Sequence, residues 1–180
     1  MKEALAHHDL RLAFQTENIH TADMILLLLI GMLAADGDAV KADRVIVKKS
    51  ARSLILISDG HVLRSYRIAL GSAPVGAKEH QGDHKTPEGN YILDRRNAKS
   101  RFYKSIHVSY PSEEDKKRAS RQGVDPGGDI MIHGLPNGFG WLGATHRVRD
   151  WTDGCIAVSD AEMDEIWDLV RDGTPIKIEP

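Results

Sequence analysis

A chain of 180 residues has room for one compact domain with a substantial hydrophobic core plus an appendage, and is short for two domains. Its apolar fraction of 41%, charged fraction of 28% and formal net charge of -2 are those of an ordinary globular protein, and they argue against nucleic acid as a partner. One cysteine, Cys155, leaves no intramolecular disulfide to form.

The first distinctive segment is Met24-Ile25-Leu26-Leu27-Leu28-Leu29-Ile30-Gly31-Met32-Leu33, followed by the small residues Ala34, Ala35, Gly37 and Ala39. An apolar run over 24–35 is short for a bilayer span and suits the core of a signal peptide, with Gly37-Asp38-Ala39 or Val40-Lys41-Ala42 as the cleavage site. Upstream, Asp9, Glu17 and Asp23 stand beside Lys2 and Arg11, which is not the usual basic leader, and Met24 offers a second start. The competing reading of the run is a buried helix. The organisation expected is an N-terminal segment 1–42 carrying the signal peptide, then one folded domain over 43–180, exported to a compartment outside the cytoplasm. In such a compartment, which favours disulfides, an unpaired thiol needs a chemical reason.

Downstream, Val45-Ile46-Val47 and Leu54-Ile55-Leu56-Ile57 read as short strands, and Asp59-Gly60 as a hairpin turn. In the next strand Val62, Tyr66, Ile68 and Leu70 share one face, and Ser65, Arg67 and Ala69 the other, up to Gly71. Pro87-Glu88-Gly89 turns the chain into Tyr91-Ile92-Leu93, and Ile106-His107-Val108 and Ile130-Met131-Ile132 are further core strands. Ser112 as N-cap and Gly123 as C-terminal stop bound a short surface helix with acids early and bases late. Ser159 with Glu162 forms a capping box for a second helix, whose stripe of Met163, Ile166, Trp167 and Val170 runs to Gly173. Pro175-Ile176-Lys177-Ile178 is a final strand, so strands dominate with two helices added.

Chemistry concentrates between Ile132-His133-Gly134 and Thr152-Asp153-Gly154-Cys155. A thiol becomes nucleophilic when an imidazole takes its proton, and His133, at the end of a predicted strand, is the first candidate base. Gly134 and Gly154 remove side chains where a substrate backbone approaches, and the amides around Gly154 and Cys155 are candidate oxyanion donors. Each residue alone is weak: a lone cysteine is commonly a small buried apolar residue, and a histidine after a strand is commonly structural.

Taken together, the residues over Val45 to Pro180 resemble the L,D-transpeptidase catalytic domain (YkuD-type) family. The motifs that carry the likeness are Ile68-Ala69-Leu70-Gly71, Gly82-Asp83-His84-Lys85-Thr86-Pro87-Glu88-Gly89-Asn90-Tyr91, Ser109-Tyr110-Pro111, Pro126-Gly127-Gly128, Ile132-His133-Gly134 and Gly154-Cys155, in the family's order. The resemblance implies a mainly β fold of two packed mixed β-sheets, a β-sandwich, with the surface helix and the C-terminal helix attached. It also implies that Cys155 attacks the carbonyl before a terminal D-alanine of a peptidoglycan stem peptide and forms a thioester. D-alanine then leaves, and an amine or water resolves the thioester. His133 would activate the thiol, with the Gly134 carbonyl orienting the ring; no metal or organic cofactor is implied.

Where the common signature reads Ser-His-Gly-Cys, this chain reads Thr152-Asp153-Gly154-Cys155, a variant that resembles the YafK-like subgroup. Ionised Asp153 cannot donate a hydrogen bond as the missing histidine would. His146 is a candidate second imidazole, and Arg147, Arg149 and Trp151 are candidate substrate contacts; each has a plain alternative as a loop charge or anchor. Three other outcomes compete with transpeptidation. These are hydrolysis, as an L,D-carboxypeptidase or on links between the wall and an attached lipoprotein, zinc chemistry at His80, Asp83 and His84, and an inactive wall-binding module.

Overall fold

Residues 40–180 are described by a computed structural model, and the apolar run 24–35 with its expected signal peptide lies outside them. Among the described residues no helix is long and apolar enough to cross a membrane.

Alternating branched residues build β1 (Arg44–Lys48) and β2 (Ser53–Ser58), with Val45, Val47, Leu54 and Leu56 at most 1% exposed. The turn into β3 (His61–Arg67) uses Asp59 and Gly60, both at positive φ (51° and 79°), the conformation a two-residue hairpin turn requires. β3 departs from the expected alternation. A register shift between Leu56 and Ile57 leaves Leu63 unpartnered, so Leu63 packs against the core while Val62, expected on the buried face, is 65% exposed.

The remaining strands are β4 (Gly89–Ser100), β5 (Tyr103–Val108), β6 (Met131–His133), β7 (Ile156–Ala157) and β8 (Thr174–Glu179). All eight are hydrogen-bonded in the order β3-β2-β1-β8-β4-β5-β6-β7, with β1–β8 and β6–β7 parallel and the other pairs antiparallel. Just beyond β3, Ala69 exchanges amide hydrogen bonds with Ala157 of β7 (3.0 and 2.8 Å), so the two ends of the sheet meet. The expected mainly β fold is observed, and its two layers are the halves of one curled mixed sheet closed around a single core.

Both helices form where their caps predict. Helix α1 (Glu113–Gln122) starts at a Ser112–Asp115 capping box and stops at left-handed Gly123. Helix α2 (Asp160–Leu169) starts at the Ser159–Glu162 box and buries Met163 and Ile166; it ends before Gly173, because Val170 is already extended. Between β6 and β7 lies a 3-10 segment, Gly140–Val148, kinked at Gly143, whose φ and ψ are not helical.

Among the described glycines Gly71 has the closest neighbour, since a Cβ there would stand 2.1 Å from the His84 carbonyl oxygen and 3.0 Å from the Gly154 Cα. Gly71→Ala is expected to cost about 2–4 kcal/mol through backbone displacement. Gly128→Ala, whose Cβ meets nothing within 4 Å, should stay within about 0.5 kcal/mol of the unmodified protein in chemical denaturation.

Candidate active site

Strand register brings the chemistry together. Parallel pairing sets Ile132 opposite Ile156 and His133 opposite Ala157, so Met131 and Cys155 lie beside each other one step earlier. Side chains alternate along a strand, and Ile132 and Ile156 are in the core, so Met131, His133 and Cys155 emerge on the other face. Antiparallel pairing extends the row with Ser105 opposite His133 and Asn97 opposite Ser105. These side chains, with Lys99, Ser100, Arg101, Phe102, Asp129, Trp151, Thr152 and Asp153, line one cleft of about 590 Å³.

The His133 ring is 4% exposed, with its Nδ1 2.7 Å from the Gly134 carbonyl oxygen. A carbonyl only accepts, so Nδ1 carries the hydrogen and Nε2 is left as the acceptor. Phe102 (ring centroids 4.6 Å) and Trp151 (5.8 Å) enclose the ring. Burial pushes the imidazole down to about 4 from its usual 6.5, against an opposing effect of the Gly134 carbonyl and with a further lowering by His146.

The half-buried Cys155 thiol lies 3.6 Å from the Asp129 carbonyl oxygen. Burial raises its pKa; the Met131 amide favours the thiolate, while the charges of Asp153 and Asp129 oppose it. A thiol raised and an imidazole lowered are both neutral at rest near pH 7.

A dense set of bonds shapes the turn that carries the thiol. Asp150 accepts from Arg52 Nε (2.9 Å) and Nη2 (2.7 Å) and from the Leu70 amide (2.9 Å). Thr152 Oγ1 donates to the Cys155 carbonyl (2.7 Å) and accepts from the Gly154 amide (3.2 Å). Of the two amides expected near an oxyanion, that of Gly154 is thus engaged. Gly154 itself has φ +125°, and a Cβ there would stand 2.7 Å from the Lys85 carbonyl oxygen, so the position admits only glycine.

The other candidate residues fall into place around this turn. Asp153 lines the cleft and pairs with His84 Nδ1 at 2.9 Å, both side chains being exposed. Asp83 is held near pKa 2 because Lys78 and the amides of Glu79, Lys85 and His80 outweigh its burial, which gives its carboxylate a turn-forming job. Among the described residues no three His, Cys, Asp or Glu side chains converge as a metal site. His146 is buried in the adjoining groove on the far side of Trp151, with its Nδ1 3.4 Å from the Trp151 indole nitrogen. Burial and the neighbouring Arg147 charge lower its pKa. Arg147 is paired with Glu162 of the α2 capping box, Arg149 lines the His146 groove, and Trp151 forms a wall of both spaces. Phe102, Ser105, Asn97, Lys99, Arg101 and Asp129 escaped the sequence reading. No motif marks them; only the pairing of the long β4–β5 hairpin with β6 brings most of them to the cleft.

The model of the L,D-transpeptidase catalytic domain (YkuD) matches residues 42–178. The chain belongs to this family. YafK of Escherichia coli K12, a protein assigned to the L,D-transpeptidases, is 33% identical over 111 residues, which cover 61% of this chain and 37% of that protein. The crystal structure of the helical cell shape determining protein Pgp2 from Campylobacter jejuni is similar with a TM-score of 0.58 at 28% identity, covering 75% of this chain and 46% of that one. Bd1075 of Bdellovibrio bacteriovorus shares the fold with a TM-score of 0.55 at 23% identity, covering 79% of this chain and 49% of that one. The chain therefore spans less than half the length of each of these three proteins.

A protonated ring cannot accept the thiol proton, so reactivity that runs through His133 is lost as pH falls through about 4 and not through 6.5. The second-order rate of Cys155 acylation by a carbapenem, followed by intact-protein mass from pH 3 to 8, should therefore be level between pH 6 and 7 and halve near pH 4.

Proposed function

We propose that the protein is a cysteine-dependent peptidoglycan L,D-transpeptidase, exported to the periplasm or the wall, which works through a thioester on Cys155. The observation that carries this reading is the placement of Cys155 and His133 on one face of adjacent strands in one cleft.

Sγ attacks the carbonyl carbon before the terminal D-alanine of a stem peptide while His133 Nε2 takes the thiol proton. The hydrogen bond from Nδ1 to the Gly134 carbonyl keeps the ring in the tautomer that can do so. With the Gly154 amide given to Thr152, the Cys155 amide is the donor for the oxyanion. As the intermediate collapses, the C–N bond breaks, His133 returns its proton to the departing nitrogen, and D-alanine leaves. An amine of a second stem peptide then attacks the thioester, loses its proton to His133 and restores the thiol. Water in place of the amine gives an L,D-carboxypeptidase or, on a wall-attached lipoprotein, a cleaving enzyme. Asp153 acts in none of these steps as a donor. Burial, with the charges of Asp153 and Asp129 adding to it, keeps the thiol protonated until substrate arrives. The name of Pgp2 supports a place for this activity in cell shape. The apolar run 24–35 supports export.

Incubation with purified wall fragments, followed by mass spectrometry of the products, tests the reading. A gained cross-link shows transfer, loss of D-alanine alone shows carboxypeptidase action, and release of a bound protein shows lipoprotein cleavage. Unchanged fragments together with a thiol that carbapenems do not acylate would instead favour a wall-binding module. Cys155→Ala and His133→Asn are each expected to lower turnover more than about 1000-fold, because the two groups act as a unit. Wild-type rates in His133→Asn would pass the base role to His146.

A further inference from the structure

The two ends of the cleft carry opposite charge. Lys99 and Arg101 line it from the tip of the β4–β5 hairpin, and both are exposed. No carboxylate among the described residues pairs with either. The tip is held in place: Asn137 donates from its amide to the Arg101 carbonyl (3.0 Å) and accepts from the Tyr103 amide (3.0 Å), and Ser100 Oγ accepts from the Phe102 amide (3.0 Å). Register places this tip at the His133 end, since Asn97 is opposite Ser105 and Ser105 is opposite His133. Asp129, just before β6, and Asp153, just before Gly154, flank Cys155 at the other end.

The reaction decides which end receives which part of the substrate. His133 takes the thiol proton and delivers it to the departing nitrogen, so that nitrogen must lie on the His133 side of the sulfur. Whatever the nitrogen carries then lies under the hairpin. A free carboxylate on the leaving residue meets two cations there, whereas at the thiol end it would face two carboxylates. We infer that Lys99 and Arg101 form a carboxylate-binding subsite for the leaving residue, which makes the protein selective for peptides ending in a free acid over the same peptides ending in an amide. The inference rests on the thioester reading above and deepens it by naming what the leaving group must carry.

Binding tests it separately from turnover. An L,D-peptide ending in D-alanine, as the free acid and as the amide, is titrated by calorimetry into the full chain carrying Cys155→Ala, with and without Lys99→Ala and Arg101→Ala. The acid should bind at least about tenfold more tightly than the amide, as two charge-assisted contacts require, and raised salt should narrow the gap. With both cations removed, the preference should fall below about twofold. Equal affinities before their removal, a preference that survives it, or no binding of either peptide would overturn the subsite. Turnover of the acid by the unmodified protein is scored separately: its absence removes the thioester reading, whatever the binding preference.

Discussion

Parallel pairing of β6 with β7 is the constraint on which the site depends. The side-chain period of a strand is two residues, so a one-residue slip of β7 would send Cys155 into the core and bring Ile156 out to the cleft. Two short strands of three and two residues do not hold a register unaided. Closure of the sheet supplies the rest, as the mutual Ala69–Ala157 bonds fix β7 from its other side while Asp150, tied to Arg52 and Leu70, anchors the chain leading into it.

Beneath this turn, two buried lysines organise the loop that supports it. Lys49, 2% exposed, donates to the Thr86 carbonyl and to Glu88, and Lys78, 3% exposed, donates to the His80 carbonyl and to Asp83. Each buried ammonium is paired with a carboxylate and further hydrogen-bonded, the condition under which burial of charge is tolerated. The loop they hold presents the His84 and Lys85 carbonyls to Gly71 and Gly154, so the two glycines, the loop and the thiol turn form one packed unit. Charge elsewhere in the cleft does the opposite of what a resting ion pair needs: Asp129 and Asp153 disfavour the thiolate, and burial disfavours the imidazolium. A neutral pair is less exposed to oxidation than a free thiolate would be.

Local signals were well written in the sequence. The Ser112 N-cap, the Ser159–Glu162 capping box, the Asp59-Gly60 turn and the β-branched runs specify their elements through nearest-neighbour chemistry, and the structure contains each. His133 and Cys155 were also readable as candidates, and the ordered motifs around them pointed to the family that the comparison shows. What was hidden depends on partners distant in the chain. The bulge at Leu63 follows from pairing with β2 and turned Val62 outward. The outer half of β4 is polar, because it forms a cleft wall, and so it lacked an apolar alternation to read. Arg147 looked available from its loop position, yet Glu162, fifteen residues on, engages it.

The most direct test of the central claim is the rate of Cys155 alkylation by iodoacetamide as a function of pH, since only the thiolate reacts. A neutral thiol beside a neutral imidazole predicts a rate that is low at pH 7 and rises with a single midpoint above the usual 9.0. A rate already level from about pH 5 to pH 8, with a midpoint near 4, would reveal a preformed thiolate–imidazolium pair and contradict the account.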